Sequence, residues 1–144
     1  MTEPPDDAAA LRRVLDELAV AQLVATYASG IDRKDLALVL SCFEPGAYVN
    51  GANGQGVCEE FYGAMFDQLA DYPVSFHFVG NQRRSLDGDA GWTETYCTAY
   101  HFSDEAGTVE AGVFGTRYRD EVRRGDDGVW RIHRRDSTID WSRL

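Results

Sequence analysis

The stretch GWTETYCTAYHFS, residues 91–103, sets the frame for reading the whole chain. Its side chains divide by parity. Trp92, Glu94, Tyr96, Tyr100 and Phe102 fall on one side of an extended backbone, and Thr93, Thr95, Cys97, Ala99 and His101 on the other. β-Branched and aromatic residues in this density suit a pleated strand. Three more segments of similar length and character surround it, at 74–86, 108–122 and 129–141. The separators are Asp87-Gly88-Asp89, Asp104-Glu105-Ala106-Gly107 and Gly125-Asp126-Asp127-Gly128. Connections this short, made of turn residues, predict antiparallel hairpins.

Ahead of Tyr72-Pro73 the period changes. Leu11, Leu15, Leu18, Leu23 and Tyr27 recur at helical steps and predict a helix from Ala8 to Gly30. Asp35 is placed to cap a second helix from Leu36 to Phe43, stopped by Pro45-Gly46. Ala47 to Asn50 reads as a short strand and GANGQG (51–56) as a loop. Val57, Phe61, Met65 and Leu69 stand four apart and predict a third helix from Val57 to Leu69. Residues 1–7 are polar, rich in Pro and Asp, and read as a disordered tail before one domain at 8–144. Helices followed by a curved antiparallel sheet make an α+β domain.

Composition narrows the function. The chain has 144 residues, with Lys+Arg 14 against Asp+Glu 24 and a net charge of −10. That size buries a core without covalent staples. The acidic balance argues against nucleic acid and against an anionic membrane surface, since both need positive charge. Cys42, Cys58 and Cys97 are an odd count without CxxC spacing, which argues against a disulfide framework and a cysteine-rich zinc site. No apolar run approaches the roughly 20 residues of a membrane span, and the acidic first ten residues lack the pattern of a signal peptide. The expectation is a cytoplasmic protein with reduced thiols. GANGQG does not fit the dinucleotide glycine pattern, and no G-x-S-x-G is present.

The three histidines, His77, His101 and His133, each fall within a predicted strand. His77 lies between Phe76 and Phe78, where an imidazole loses water. Two readings fit it: a general base tuned by a carboxylate, or a core histidine bonded to a carbonyl. His133, in RIHRR, reads as a surface residue. The histidine spacings match no compact metal motif, so no metal site is assigned. The small side of 91–103 either leaves room for a ligand or accommodates a packed helix. Asp32 follows the predicted end of the first helix, and a break at Gly30 would let Tyr27 and Asp32 face one cavity. Phe61, Tyr62, Met65, Phe66, Phe76 and Phe78 are candidate apolar walls or plain core.

YASGIDRKD (27–35), FEPGA (43–47), HFVGN (77–81), DGDA (87–90), YCTAYH (96–101), YRD (118–120), DGVWRIHRR (127–135) and DW (140–141) occur in an order that resembles the SnoaL-like branch of the nuclear-transport-factor-2-like superfamily. The likeness spans about residues 10–142. It implies a cone-shaped α+β barrel: a curved sheet wrapped around helices, with one deep pocket. It is similar in particular to members that eliminate water or chloride, such as scytalone dehydratase, bile acid 7α-dehydratase and hexachlorocyclohexane dehydrochlorinase. That resemblance implies an Asp32–His77 dyad, with Tyr27, His101 and, less directly, Tyr48 as further catalytic groups and Arg135 against the substrate. It implies a lyase acting on a small hydrophobic carbonyl-bearing ring compound without metal or organic cofactor. An isomerase or polyketide cyclase of the same fold, and a non-catalytic ligand-binding module, are the alternatives. It also implies a homo-oligomer, a trimer before a dimer, in line with an aromatic outer sheet face at Trp92, Tyr96 and Tyr100.

Overall fold

The computed structural model describes residues 6–144. Three helices and six strands follow in the order α1 (Asp7–Asp32), α2 (Leu36–Ser41), β1 (Phe43–Gly51), β2 (Gly54–Val57), α3 (Cys58–Leu69), β3 (Val74–Asp87), β4 (Ala90–Phe102), β5 (Glu110–Arg124) and β6 (Trp130–Arg143). Of the predicted tail, residues 1–5 lie outside the described residues. Asp6 caps α1, its carboxylate accepting the Ala8 amide at 3.2 Å, and Asp7 is already helical.

The strands form one curved sheet in the order β2-β1-β6-β5-β4-β3. The α+β class is as the sequence implies, with two differences. The sheet is open, with β2 and β3 as edges, and it is mixed, because β1 runs parallel to β6. The chain reaches β6 after building the rest of the sheet, so β6 fits between β1 and β5. The four long strands pair as successive hairpins, His77 opposite Ala99 and Cys97 opposite Thr116. The parity reading of β4 matches the burial: Thr93, Thr95, Cys97 and Ala99 are buried, while Trp92 and Tyr96 are exposed.

GANGQG is not a loop throughout. β1 turns at Ala52-Asn53 into β2, pairing Gly51 with Gly54 and Tyr48 with Val57. Gly54, the first residue after the turn, takes a positive φ of 146°, which glycine adopts readily. Pro45-Gly46 does not stop α2, which ends at Ser41. Instead it sits where the β1–β6 register shifts, between Phe43 and Tyr48. Proline cannot join the ladder there, and the Gly46 amide donates to Glu59 at the start of α3 at 2.9 Å.

α1 passes straight through Gly30 to Asp32. Its buried face is Val20, Val24, Tyr27 and Ile31, with Leu23 partly buried against the same core. Leu11, Leu15 and Leu18 are exposed; at Leu15 and Leu18 the face toward the sheet is taken by Asp16 and Glu17, which bond to Arg124, Trp130 and Arg84, and the C-terminal half carries the core contacts. By length and composition α1 is apolar enough to cross a membrane, an outcome the run-length reading of the sequence missed; its C-terminal half packs as a core helix. Gly30 lets α2 approach α1: a Cβ there would stand 2.8 Å from Val39 Cγ2.

Candidate active site

The concave side of the sheet holds a cavity of about 540 Å³. β3 and β4 bring His77, Ala99 and His101 to it, α1 brings Tyr27, and α3 brings Phe61 and Tyr62. Alternation explains the strand contribution. Ser75 and His77 point inward from β3, while Phe76 and Phe78 point outward and are 56% and 65% exposed. The small residues of β4 leave the space that His101 enters.

His77 and Asp32 are joined. His77 Nδ1 lies 2.7 Å from Asp32 Oδ1, and the His77 backbone N–H donates to Asp32 Oδ2 at 2.9 Å. One carboxylate thus holds both the ring and the strand. Ser75 Oγ adds a third bond, donating to Asp32 Oδ1 at 3.1 Å. Burial pushes the Asp32 carboxyl upward, but the His77 ring and amide, with Ser75, win and hold it below the usual carboxylate value. An ionised Asp32 against Nδ1 places the ring proton there and leaves Nε2 as the basic nitrogen. Asp32 lies behind His77 and does not line the cavity.

His101 stands edge-on to His77 with ring centroids 5.7 Å apart, and contacts Tyr72 and Phe114 in the same way. Burial, with the charges of His77 and Lys34, pushes its pKa down to about 4. It is therefore a neutral imidazole near pH 7, and its Nδ1 is buried without a protein partner. A neutral ring can hydrogen-bond a leaving group but is a poor donor of a whole proton.

Tyr27, Tyr62 and Tyr118 make a polar wall of the cavity. Their rings meet edge to face, Tyr27 at 5.7 Å from Tyr62 and 5.5 Å from Tyr118. Burial pushes the Tyr27 phenol up, against the pull of Arg135, so it stays protonated as a donor. Tyr62 reads in the sequence only as an apolar wall, and Tyr118 lies in YRD without a role. What singles both out is convergence on Tyr27, which no local pattern encodes.

Three predicted site residues lie elsewhere. Tyr48 points to the outer face, under the Arg134 guanidinium at 4.9 Å, because its neighbours Ala47 and Val49 take the inward positions. Phe78 faces outward by the same parity. Arg135 is fully buried behind the tyrosine wall, bonded twice to Asp120 at 2.7 and 2.8 Å and stacked over Tyr27 at 4.2 Å. It does not line the cavity; it braces Tyr27 from behind. Phe61 does line it, packed on Gly51, where a Cβ would meet the ring at 2.5 Å. His133 pairs with Glu44 at 2.7 Å, half-exposed and away from the cavity. Among the described residues no three His, Cys, Asp or Glu side chains converge as a metal set.

Residues 12–136 match the SnoaL-like domain. The chain belongs to the SnoaL-like family. An uncharacterized protein of Mycobacterium tuberculosis, Rv2910c, is 30% identical over 129 residues, covering 87% of this chain and 86% of its own. Among solved structures, the hexachlorocyclohexane dehydrochlorinase LinA-type3 of Novosphingobium barchaimii superposes with a TM-score of 0.77 at 16% identity, covering 92% of each chain. A protein of Novosphingobium aromaticivorans provisionally identified as a scytalone dehydratase gives 0.76 at 14% identity, over 91% of this chain and 88% of that one. At these identities the likeness is one of fold. The SnoaL-like fold thus includes a dehydrochlorinase among its members.

Proposed function

We propose that the protein is a cofactor-independent lyase that eliminates water from a small hydrophobic substrate carrying a ring carbonyl. The observation that carries this reading is the Asp32–His77 pair at 2.7 Å, with His77 facing a cavity shared with His101 and Tyr27. His77 Nε2 takes the proton α to the carbonyl while Asp32 stabilises the resulting imidazolium. Charge gathers on the carbonyl oxygen, where Tyr27, Tyr62 and Tyr118 offer O–H donors that matter most in the transition state. The C–O bond to the β-hydroxyl breaks, its electrons leaving with oxygen. His101 hydrogen-bonds that oxygen, and the His77 imidazolium returns its proton to it. One C–H and one C–OH become an alkene and a water, and His77 is again neutral.

The decisive assay uses His77→Ala and Asp32→Asn on a panel of cyclic β-hydroxy ketones, with product mass as the readout. Losses of about 10²- to 10⁴-fold for His77→Ala, with product lighter by one water, support the lyase. Product of unchanged mass moves the same base to an isomerase or cyclase. Full activity in His77→Ala sinks the dyad altogether.

We further infer a cytoplasmic homo-oligomer, a trimer before a dimer. Support comes from two exposed apolar surfaces, Leu11, Val14, Leu15 and Leu18 on α1 and Phe76, Phe78, Trp92 and Tyr96 on the outer sheet. Three buried free cysteines suit a reducing compartment. Light scattering on the purified chain measures the oligomer directly; a monomer at high concentration ends that inference.

A further inference from the structure

Lys34 occupies a position where helix ends normally carry glycine. The last turn of α1 closes with the Asp35 amide donating to the Gly30 carbonyl at 2.8 Å and the Lys34 amide donating to Ile31 at 3.1 Å. These are the paired bonds of a Schellman end, which needs a left-handed residue between helix and exit. Lys34 supplies it, at φ +57°. A side chain in that region is strained where glycine is not. A residue held so raises the question of what its side chain does.

The Lys34 ammonium donates to Ser75 Oγ at 3.0 Å. Ser75 donates to Asp32 Oδ1 at 3.1 Å, the same oxygen that meets His77 Nδ1 at 2.7 Å. Ser75 is buried at 6% exposure and is the inward residue next before His77 on β3. A chain of four side chains therefore runs from the helix exit to the cavity. Burial pushes the Lys34 ammonium down from its ordinary value while the Asp32 charge pulls it back, so the two ends feel each other.

We propose that Lys34, acting through Ser75, is a positioning residue for the Asp32–His77 pair, drawing on the shared Asp32 oxygen and thereby limiting how tightly His77 holds a proton. An ionised carboxylate alone favours the imidazolium, and an imidazolium cannot act as a base. A cation joined through Ser75 to the oxygen that His77 also meets offsets the effect. It keeps the His77 ring oriented while leaving Nε2 open to take a proton. The other titratable and charged groups around the pair are Tyr27 on α1, Tyr72 after α3, Cys97 and His101 on β4, and Arg135 on β6. Burial pushes the Cys97 thiol up, His101 is neutral, and Arg135 is paired with Asp120. Lys34 is the cation wired to Asp32.

The catalytic meaning of this arrangement rests on the lyase reading; the electrostatic statement does not. An NMR titration of the His77 ring in the full-length protein, without substrate, tests it. Asp32→Asn should lower the His77 pKa by about one unit or more, and Lys34→Met should raise it by about half a unit or more. Lys34→Arg should restore the parent value. Lys34→Gly should raise it as Met does while removing the backbone strain, so a gain in Tm certifies that the variant is folded. A titration curve for Lys34→Met and Lys34→Gly that overlays the parent overturns the proposal. If the titration moves as stated but His77→Ala still turns over substrate, the lyase reading fails alone. If both stand, the acidic limb of kcat/KM moves with the ring in Lys34→Met.

Discussion

Arg135 decides how the tyrosine wall is held. Its guanidinium is fully buried, bonded twice to Asp120 and stacked on Tyr27 and Tyr118. Arg135→Met leaves the Asp120 carboxylate buried alone and should cost about 3–5 kcal/mol in urea unfolding. The double replacement Arg135→Met with Asp120→Leu should recover much of that loss, since no charge is then stranded. His101 makes a second expectation at this scale. Its folded pKa, near 4, lies below its ordinary 6.5. The unfolded chain therefore binds more protons between those values, and stability falls as pH drops from about 6.5 toward 4. His101→Asn should flatten that part of the unfolding-versus-pH curve. Asp32 acts lower: its depressed pKa gives stability present above the ordinary carboxylate value and lost as pH falls through the folded one. A curve for His101→Asn that still falls steeply above pH 5 would remove His101 as the cause.

Elements were legible in proportion to how local their causes are. The alternation in β4 reports its two faces because the period of a strand is fixed by backbone geometry. The same rule, applied to β3, would have turned Phe78 outward once His77 was placed inward, and in β1 it turns Tyr48 out against Ala47 and Val49. The Asp35 cap is a local bond and was readable, its carboxylate accepting the Leu38 amide at 2.9 Å. The leucine stripe of α1 misleads because periodicity does not say which face meets a partner: Asp16 and Glu17 bond to Arg124, Trp130 and Arg84 of the sheet, while Leu15 and Leu18 on either side of them stay exposed. The parallel β1–β6 pairing joins residues far apart in sequence, such as Val49 and Arg135, and no window of sequence contains both. The Asp32–His77 pair was accessible through resemblance, whereas Lys34 and Ser75 emerge only when α1 and β3 are packed together. At this scale Gly30 is the sensitive point. Gly30→Ala would drive a methyl into Val39 of α2, at 2.8 Å from Cγ2 and 3.0 Å from the amide nitrogen. Overpacking of this kind should cost about 1–3 kcal/mol in denaturant unfolding. The shift would reach Asp32 two residues on, and a displacement of about 1 Å there can cost about 10²-fold in rate. A variant with parent stability would show that the two helices separate freely.

At the scale of the molecule, a charge of −10 surrounds a cavity whose working groups are mostly neutral or internally paired. Global acidity disfavours anionic substrates. The cavity itself offers phenols, imidazoles, amides, apolar walls and the carboxylate of Glu60 but no cationic side chain, in keeping with the uncharged ketone proposed above. The helix that begins in solvent and ends at Asp32 carries one last consequence. From Asp7 to Leu15 every residue of α1 is exposed, whereas Tyr27, Ala28, Gly30 and Ile31 are buried. Amide protons in the first turns therefore exchange through cheap local fraying, while those around Tyr27 and Ile31 wait for the sheet to open. A single rod thus joins an exposed end to a buried one, so loosening or shortening its outer end should leave the carboxylate at its inner end in place.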